Sequence, residues 1–147
     1  MHRIAQSWLV LEITGDARML GFVVAAQFAP MLFLAPWAGV LADRYDRRRL
    51  LQLTQIGMGL QALALGLLTL SGHATGALVL VFAAILGVVT ALDGPARQSI
   101  VSDLVPSDQV VNAVALNSAN FNAARLVGPA IAGVMIAAWG PGWVFLV

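Results

Sequence analysis

The chain has 147 residues, of which 60% are hydrophobic and 10% charged, against about 25% charged in an ordinary soluble domain. A soluble globule is excluded by that balance. The eight basic residues are all arginine and face seven acids, so a net charge of +1 leaves no basic surface for nucleic acid. With no cysteine there is no disulfide, thiol nucleophile or Cys-based metal site.

The predicted elements follow from where charge is missing, because crossing about 30 Å of hydrocarbon takes about 20 apolar residues in a helix. The first segment, Ile4 to Ile13, is apolar and helix-compatible, but ten residues reach only about 15 Å. It is a half-length helix over 1–14. A signal peptide is the alternative for this segment, since it is short and follows Arg3, but Trp8, Glu12 and the lack of a small-x-small cleavage pattern weigh against it. Residues 19–42 (24 residues), 50–92 (43) and 126–147 (22) carry no formal charge. The longest would form a helix of about 65 Å, too long for one crossing. Its middle, Ser71-Gly72-His73-Ala74-Thr75-Gly76, has turn composition and divides it. Helices are therefore expected near 18–42, 50–71, 76–97 and 109–138, with Ser107-Asp108 as a cap for the last. Gly140-Pro141-Gly142 ends that helix, and 142–147 begins another. All the spans must be helical, because lipid offers no partners to backbone amides and no alternating barrel pattern is present.

Arg44, Arg47, Arg48 and Arg49 fill one short loop, and Arg97 lies two crossings later on the same face. The opposite face offers Arg18, offset by Asp16, and the neutral His73 loop. Basic residues at span ends stay cytoplasmic, so the arginine loop is expected inside.

That loop reads Gly39-Val40-Leu41-Ala42-Asp43-Arg44-Tyr45-Asp46-Arg47-Arg48-Arg49-Leu50-Leu51. It resembles the signature loop of the major facilitator superfamily, G-x-L-A-D-R-x-G-R-R/K-x-x-L, at the same cytoplasmic hairpin. Asp46 departs from the pattern, which has glycine there; this form is similar to the branch of drug and siderophore exporters that includes enterobactin exporters. Leu9-Val10-Leu11-Glu12-Ile13-Thr14-Gly15, Asp93-Gly94-Pro95-Ala96-Arg97-Gln98, Leu116-Asn117-Ser118 and Gly128-Pro129-Ala130-Ile131-Ala132-Gly133 are similar to the same branch. The resemblance covers essentially all 147 residues. It implies twelve helices in two six-helix halves around a central cavity. The fold class expected is thus an all-α membrane protein, a partial six-helix half-bundle with about four and a half transmembrane helices. Residues 1–147 would be the incomplete N-terminal half, and Arg3-Ile4-Ala5-Gln6-Ser7 resembles the middle of the family's first helix.

Site residues follow from the resemblance and from the physics of charge in lipid. Gly39 is expected to let backbones approach closely, and Asp43 to face the positive end of a partner helix, which in the family belongs to the missing second half. Arg47, four residues from Asp43, is placed to reach Asp93; the resemblance implies that Gly39, Asp43, Arg44, Arg47, Arg48, Asp93 and Arg97 form a conformational switch. The alternative is that the arginines only set topology, and this is the favoured reading for Arg48 and Arg49. Arg125 lies about 15 residues into its helix, where arginine costs at least about 2.5–3.5 kcal/mol. Ser118, Asn122, Arg125 and Pro129 fall within an arc of about 60°, a polar stripe that either lines a substrate cavity, with Arg125 attracting anionic or catechol-like groups, or bonds to neighbouring helices. Glu12 is the candidate proton-coupling carboxylate, if burial raises its pKa; a solvated structural acid is the alternative. Gln27, Gln52, Thr54, Gln55 and Gln61 are expected mainly to bond across helices. Gly57, Gly59, Gly66 and Gly133 are expected at close packing points, and Pro30, Pro36 and Pro129 at kinks.

The sequence has no Ser/His/Asp set, no metal-ligand spacing and no P-loop, so neither an enzyme nor a cofactor is expected. The function implied is a secondary active exporter of small molecules such as drugs or siderophores. It would be driven by a proton gradient in the bacterial cytoplasmic (inner) membrane, with lipid and the missing C-terminal half as partners. The alternative is a non-transporting remnant or a small helical membrane subunit.

Overall fold

The computed structural model describes residues 1–103, 105–106 and 108–147, without the side chains of 41–43, 98–99 and 101–103. The expected cap at Ser107 and the carboxylate of Asp43 lie outside the described residues. Six helices follow in chain order: α1 (His2–Thr14), α2 (Ala17–Arg44), α3 (Arg47–Leu70), α4 (Gly76–Asp103), α5 (Val110–Trp139) and α6 (Pro141–Leu146). The described residues contain no strand.

Local chemistry sets the helix ends. Gly15 takes a left-handed conformation at φ 62° and its N–H closes α1 on the Leu11 carbonyl, a backbone state that glycine enters without a Cβ penalty. The Asp16 carboxylate then accepts the Arg18 N–H at 2.8 Å and starts α2. Asp46 does the same for α3, its Oδ1 accepting the Arg48 and Arg49 N–H groups at 2.9 and 3.2 Å. This cap starts α3 at Arg47, three residues earlier than its charge-free stretch begins. The turn between α3 and α4 uses Gly72 at φ 73°, and the His73 N–H returns to the Leu68 carbonyl. α4 runs past Arg97 to Asp103, and the Asp93–Arg97 pair, one turn apart, bridges the point where Pro95 removes a backbone donor. α2 stays helical through Pro30 and Pro36, and α5 through Pro129.

Four helices are long and apolar enough to cross a membrane: Ala17–Val40, Arg47–Leu70, Gly76–Arg97 and Val110–Trp139. Their outer faces carry Phe22, Leu32, Phe33, Trp37, Leu53, Leu60 and Leu126, with Leu32 at 79% and Leu126 at 80% exposure. Water-soluble proteins rarely turn so much large apolar surface outward, whereas hydrocarbon accepts it without that cost. The interior is built from small residues, with Ala5, Ala38, Ala62, Ala83, Ala91, Ala96 and Ala132 all buried beside Leu9, Val23, Leu65, Val79, Val144 and Phe145. That is how helices pack where lipid supplies no hydrophobic drive and close approach must do the holding.

The most extensive helix contact joins α2 and α4. Its tightest point is Gly87, where a Cβ would lie 2.8 Å from the Ala26 carbonyl oxygen and 2.9 Å from that of Gln27. Pro30 has no N–H, so the Ala26 carbonyl lacks its donor four residues on, and the Gly87 backbone presses against this exposed oxygen. Gly66 is a second packing point, against Phe145 and Leu146 of α6, while Gly57 meets Val89 at ordinary contact distance. Gly59 and Gly133 correct the expectation of close packing, since a Cβ on either would meet nothing within 4 Å, and Gly39 likewise has open space toward the described helices. These three turn away from the neighbouring described helices rather than toward them.

Candidate functional site

Polar groups gather at two depths in the bundle. The first cluster lies at the α3–α4 end nearest the arginine loop. Asp93 of α4 is 7% exposed and is held by three donors. Thr54 Oγ1 and Gln55 Nε2 of α3 reach its Oδ1 at 2.9 and 3.0 Å, and Arg97 Nε reaches its Oδ2 at 3.2 Å. Thr54 Oγ1 also lies 2.9 Å from the Leu51 carbonyl, so its single proton is shared between the two acceptors. A carboxylate so enclosed keeps its charge only when hydrogen bonds replace water, so α3 and α4 are tied together at this level. Arg97 is about half exposed and links the network to the surface.

Around it, Arg44, Arg48 and Asp46 are exposed, and Arg47 is half-buried as the first residue of α3. Gly39 sits near the end of α2 with open space beside it. The structure thus joins Asp93 to Arg97, and it adds two partners that sequence reasoning did not assign to Asp93, Thr54 and Gln55. Their signal was present in the charge-free stretch, where Gln55 two turns inside α3 has a side-chain amide that lipid cannot satisfy, with Thr54 beside it. Gln52 and Gln55, with Leu51 and Ile56, line an open groove along α3.

The second cluster lies deeper, between α1 and α2. Gln27 Nε2 donates to Gln6 Oε1 at 2.9 Å and to the Arg3 carbonyl at 3.3 Å. Both glutamines are buried, and Gln6 Nε2 has no partner among the described residues. The Arg3 guanidinium stacks on the Phe28 ring at 4.6 Å. Between α3 and α4, Gln61 donates to the Phe82 carbonyl at 3.3 Å. Gln27, Thr54, Gln55 and Gln61 therefore do bond across helices, as residues of this kind must in lipid.

On α5, Ser118, Asn122 and Arg125 are all exposed, and the Arg125 guanidinium lies over Phe121 at 5.8 Å. They share a face of the helix, but no described element covers it. Among the described residues Arg125 has no carboxylate partner, so the expected alternative of an interhelical salt bridge finds no support in this part of the bundle. Glu12, in the last turns of α1, is also exposed. The enclosure that would set it apart from a surface acid is not provided by the described helices.

The family profile described as "Transmembrane secretion effector" matches residues 1–147. The chain is 36% identical over 145 residues to the staphyloferrin A transporter of Staphylococcus aureus, covering 98% of this chain and 36% of that protein. It is 32% identical over 145 residues to the multidrug efflux pump Tap of Mycobacterium tuberculosis, covering 93% and 34%. It is 23% identical over 137 residues to macrolide efflux protein A of Streptococcus pyogenes, again covering 93% and 34%. No solved structure matches. The chain spans about a third of the length of these relatives. Four apolar helices around a small-residue core, an arginine hairpin below them and a profile that matches end to end agree on one assignment: the chain belongs to the transmembrane secretion effector family of major facilitator superfamily transporters.

Proposed function

We propose that this chain forms the N-terminal part of a secondary active exporter of small molecules, driven by the proton gradient across the bacterial cytoplasmic membrane. The observation that carries the reading is Asp93, a carboxylate buried at the end of α4 and held from α3 and from Arg97. In a transporter that alternates between open faces, such a network acts as a latch: it closes one face while intact and must be broken to open it. Asp43, Arg44, Arg47 and Arg48 complete the latch from the hairpin, with Gly39 allowing a helix of the second half to approach Asp43. Arginines 44, 47, 48, 49 and 97 on one side, against Arg18 alone on the other, support a cytosolic hairpin.

The relatives include a siderophore transporter and two drug efflux proteins, which supports an organic solute as cargo. Ser118, Asn122 and Arg125 form the α5 wall of the cavity, open here because no described helix faces it. Glu12 is the proton-coupling candidate of the outer end.

Accumulation of ethidium in cells lacking their own efflux pumps, expressing the complete reading frame that contains these residues, tests the reading. Energy-dependent exclusion that a protonophore abolishes and Asp93→Asn reduces supports it. Accumulation of dye, a macrolide and an iron chelate all unchanged by expression would refute it.

A further inference from the structure

Two sides of α3 are occupied by neighbouring helices and a third is bare. Thr54 and Gln61 turn toward α4, bonding to Asp93 and to the Phe82 carbonyl, and Gly66 packs on Phe145 and Leu146 of α6. The bare side carries Leu53, Ile56, Leu60, Leu63, Leu67 and Leu70, each between 46 and 67% exposed. At 100° per residue these six fall within an arc of about 100°. Their spacing alternates three and four residues over 53–70 without a break, the a and d pattern of a coiled-coil seam. The stripe winds about 20° per heptad, which two helices compensate by crossing at about +20°.

Contact with lipid alone requires apolar residues but not this register, and two other spans show the difference. On α2 the exposed Met31, Leu32 and Phe33 are consecutive, so they spread around the helix. α4 has the shorter run Leu78, Val81, Ile85 and Val88, at 36–54% exposure, and its register continues through Leu92 and Pro95 without a charge. Carried one heptad toward the hairpin, the α3 register instead passes through Asp46 and Arg49, opposite charges three residues apart and both exposed. Asp46 Oδ1 accepts the Arg48 and Arg49 N–H groups, and neither the Asp46 carboxylate nor the Arg49 guanidinium takes part in an ion pair among the described residues.

Two copies of one chain insert in the same sense, so a two-fold axis relating them runs along the membrane normal and each residue meets its own image. Arg49 alone on such a seam would face a second Arg49. With Asp46 one turn away, each copy's Asp46 meets the other's Arg49, and the pairing closes twice. Six half-exposed side chains of this size offer on the order of 600 Å² per copy, and two such faces reach the total of about 1,200 Å² at which specific interfaces begin. In lipid the contact is held by packing rather than by the hydrophobic effect, so the seam supplies the fit and the charge pairs fix the register.

We propose that the outer face of α3 is a dimerisation seam for a second copy of this chain, the two α3 helices lying parallel with reciprocal Asp46–Arg49 pairs at their hairpin ends. This goes beyond the transport reading, and a single transporting copy is compatible with either result of the test.

The native chain has no cysteine, so single cysteines in the 147-residue chain, oxidised in bacterial membranes with copper phenanthroline, read the seam directly. Ile56→Cys, Leu60→Cys, Leu63→Cys and Leu67→Cys should form disulfide-linked dimers at least fivefold more than Leu32→Cys on α2 and Leu126→Cys on α5, which are more exposed than any seam residue. In the Leu60→Cys chain Arg49→Asp should lower the dimer at least threefold, and adding Asp46→Arg should restore it. All chains are compared at equal abundance in the membrane. Cross-linking no greater than at the two controls, cross-linking without the three–four periodicity, or a dimer unmoved by Arg49→Asp overturns the seam.

Discussion

Replacing Gly87 with alanine puts a methyl group where the structure has no room. The added Cβ would stand 2.8 and 2.9 Å from the Ala26 and Gln27 carbonyl oxygens and 2.9 Å from Pro30 Cγ, whereas carbon–oxygen contacts begin at about 3.3 Å. Backbone oxygens cannot rotate aside, so α2 and α4 must separate by about 0.5 Å along their most extensive contact. A gap of that size forfeits about a quarter of the dispersion energy of the atoms along it, and overpacking of this kind costs about 1–3 kcal/mol. Alanine's better helix propensity returns up to about 1 kcal/mol. Gly59→Ala is the matched control, because its Cβ meets nothing within 4 Å and only the propensity gain applies. The two variants should therefore differ by about 1–3 kcal/mol, with Gly87→Ala the less stable. Unfolding in mixed micelles with rising dodecyl sulfate fraction, followed by circular dichroism, measures this. Equal midpoints for the two variants would show that the α2–α4 crossing is not the tight joint described.

At the hairpin, Asp46→Ala removes the acceptor of two N–H groups and should cost about 1 kcal/mol in the same unfolding assay, whereas Asp46→Gly should cost only a few tenths. That order explains how aspartate can stand where the superfamily pattern has glycine. Asp93→Asn keeps an oxygen for Thr54 and Gln55 but loses the charge facing Arg97. Because Arg97 is about half exposed, the stability change should stay within about 1 kcal/mol, while protonophore-sensitive export by the complete protein should fall at least tenfold. Glu12→Gln, which removes the proposed proton-coupling carboxylate at the outer end of α1, should flatten the pH dependence of that export; a wild-type profile would remove Glu12 as the proton carrier.

Most of the architecture was legible in the sequence because the bilayer enforces a simple rule. Uncharged stretches, interrupted by a Ser-Gly-His turn and an arginine hairpin, can satisfy their backbones only as helices of membrane length. The position of the α3 start was less legible, since it depends on Asp46 reaching back to Arg48 and Arg49 rather than on where charge ends. Helix pairing was harder still. Nothing in the spacing of fourteen glycines distinguishes Gly87, pressed on a carbonyl freed by Pro30, from Gly59 or Gly133, which face open space. The Asp93 network was half visible: Arg97 follows at helical spacing, but Thr54 and Gln55 join it through the α3–α4 pairing. Gln27 and Arg3 could have been placed at one level by counting equal distances either side of the Gly15 turn, whereas Gln6 lies about one turn nearer to it. The polar stripe on α5 is visible in both sequence and structure, yet its covering is not among these residues.

Labelling of single cysteines by a membrane-impermeant maleimide tests the central claim directly, because the native chain contains none. In intact cells Arg48→Cys should be protected and His73→Cys labelled, and Arg48→Cys should become reactive once the membrane is opened. Labelling of Arg48→Cys in intact cells, or equal reactivity of both positions before and after permeabilisation, would contradict a bundle that spans the bilayer with its arginine hairpin in the cytosol.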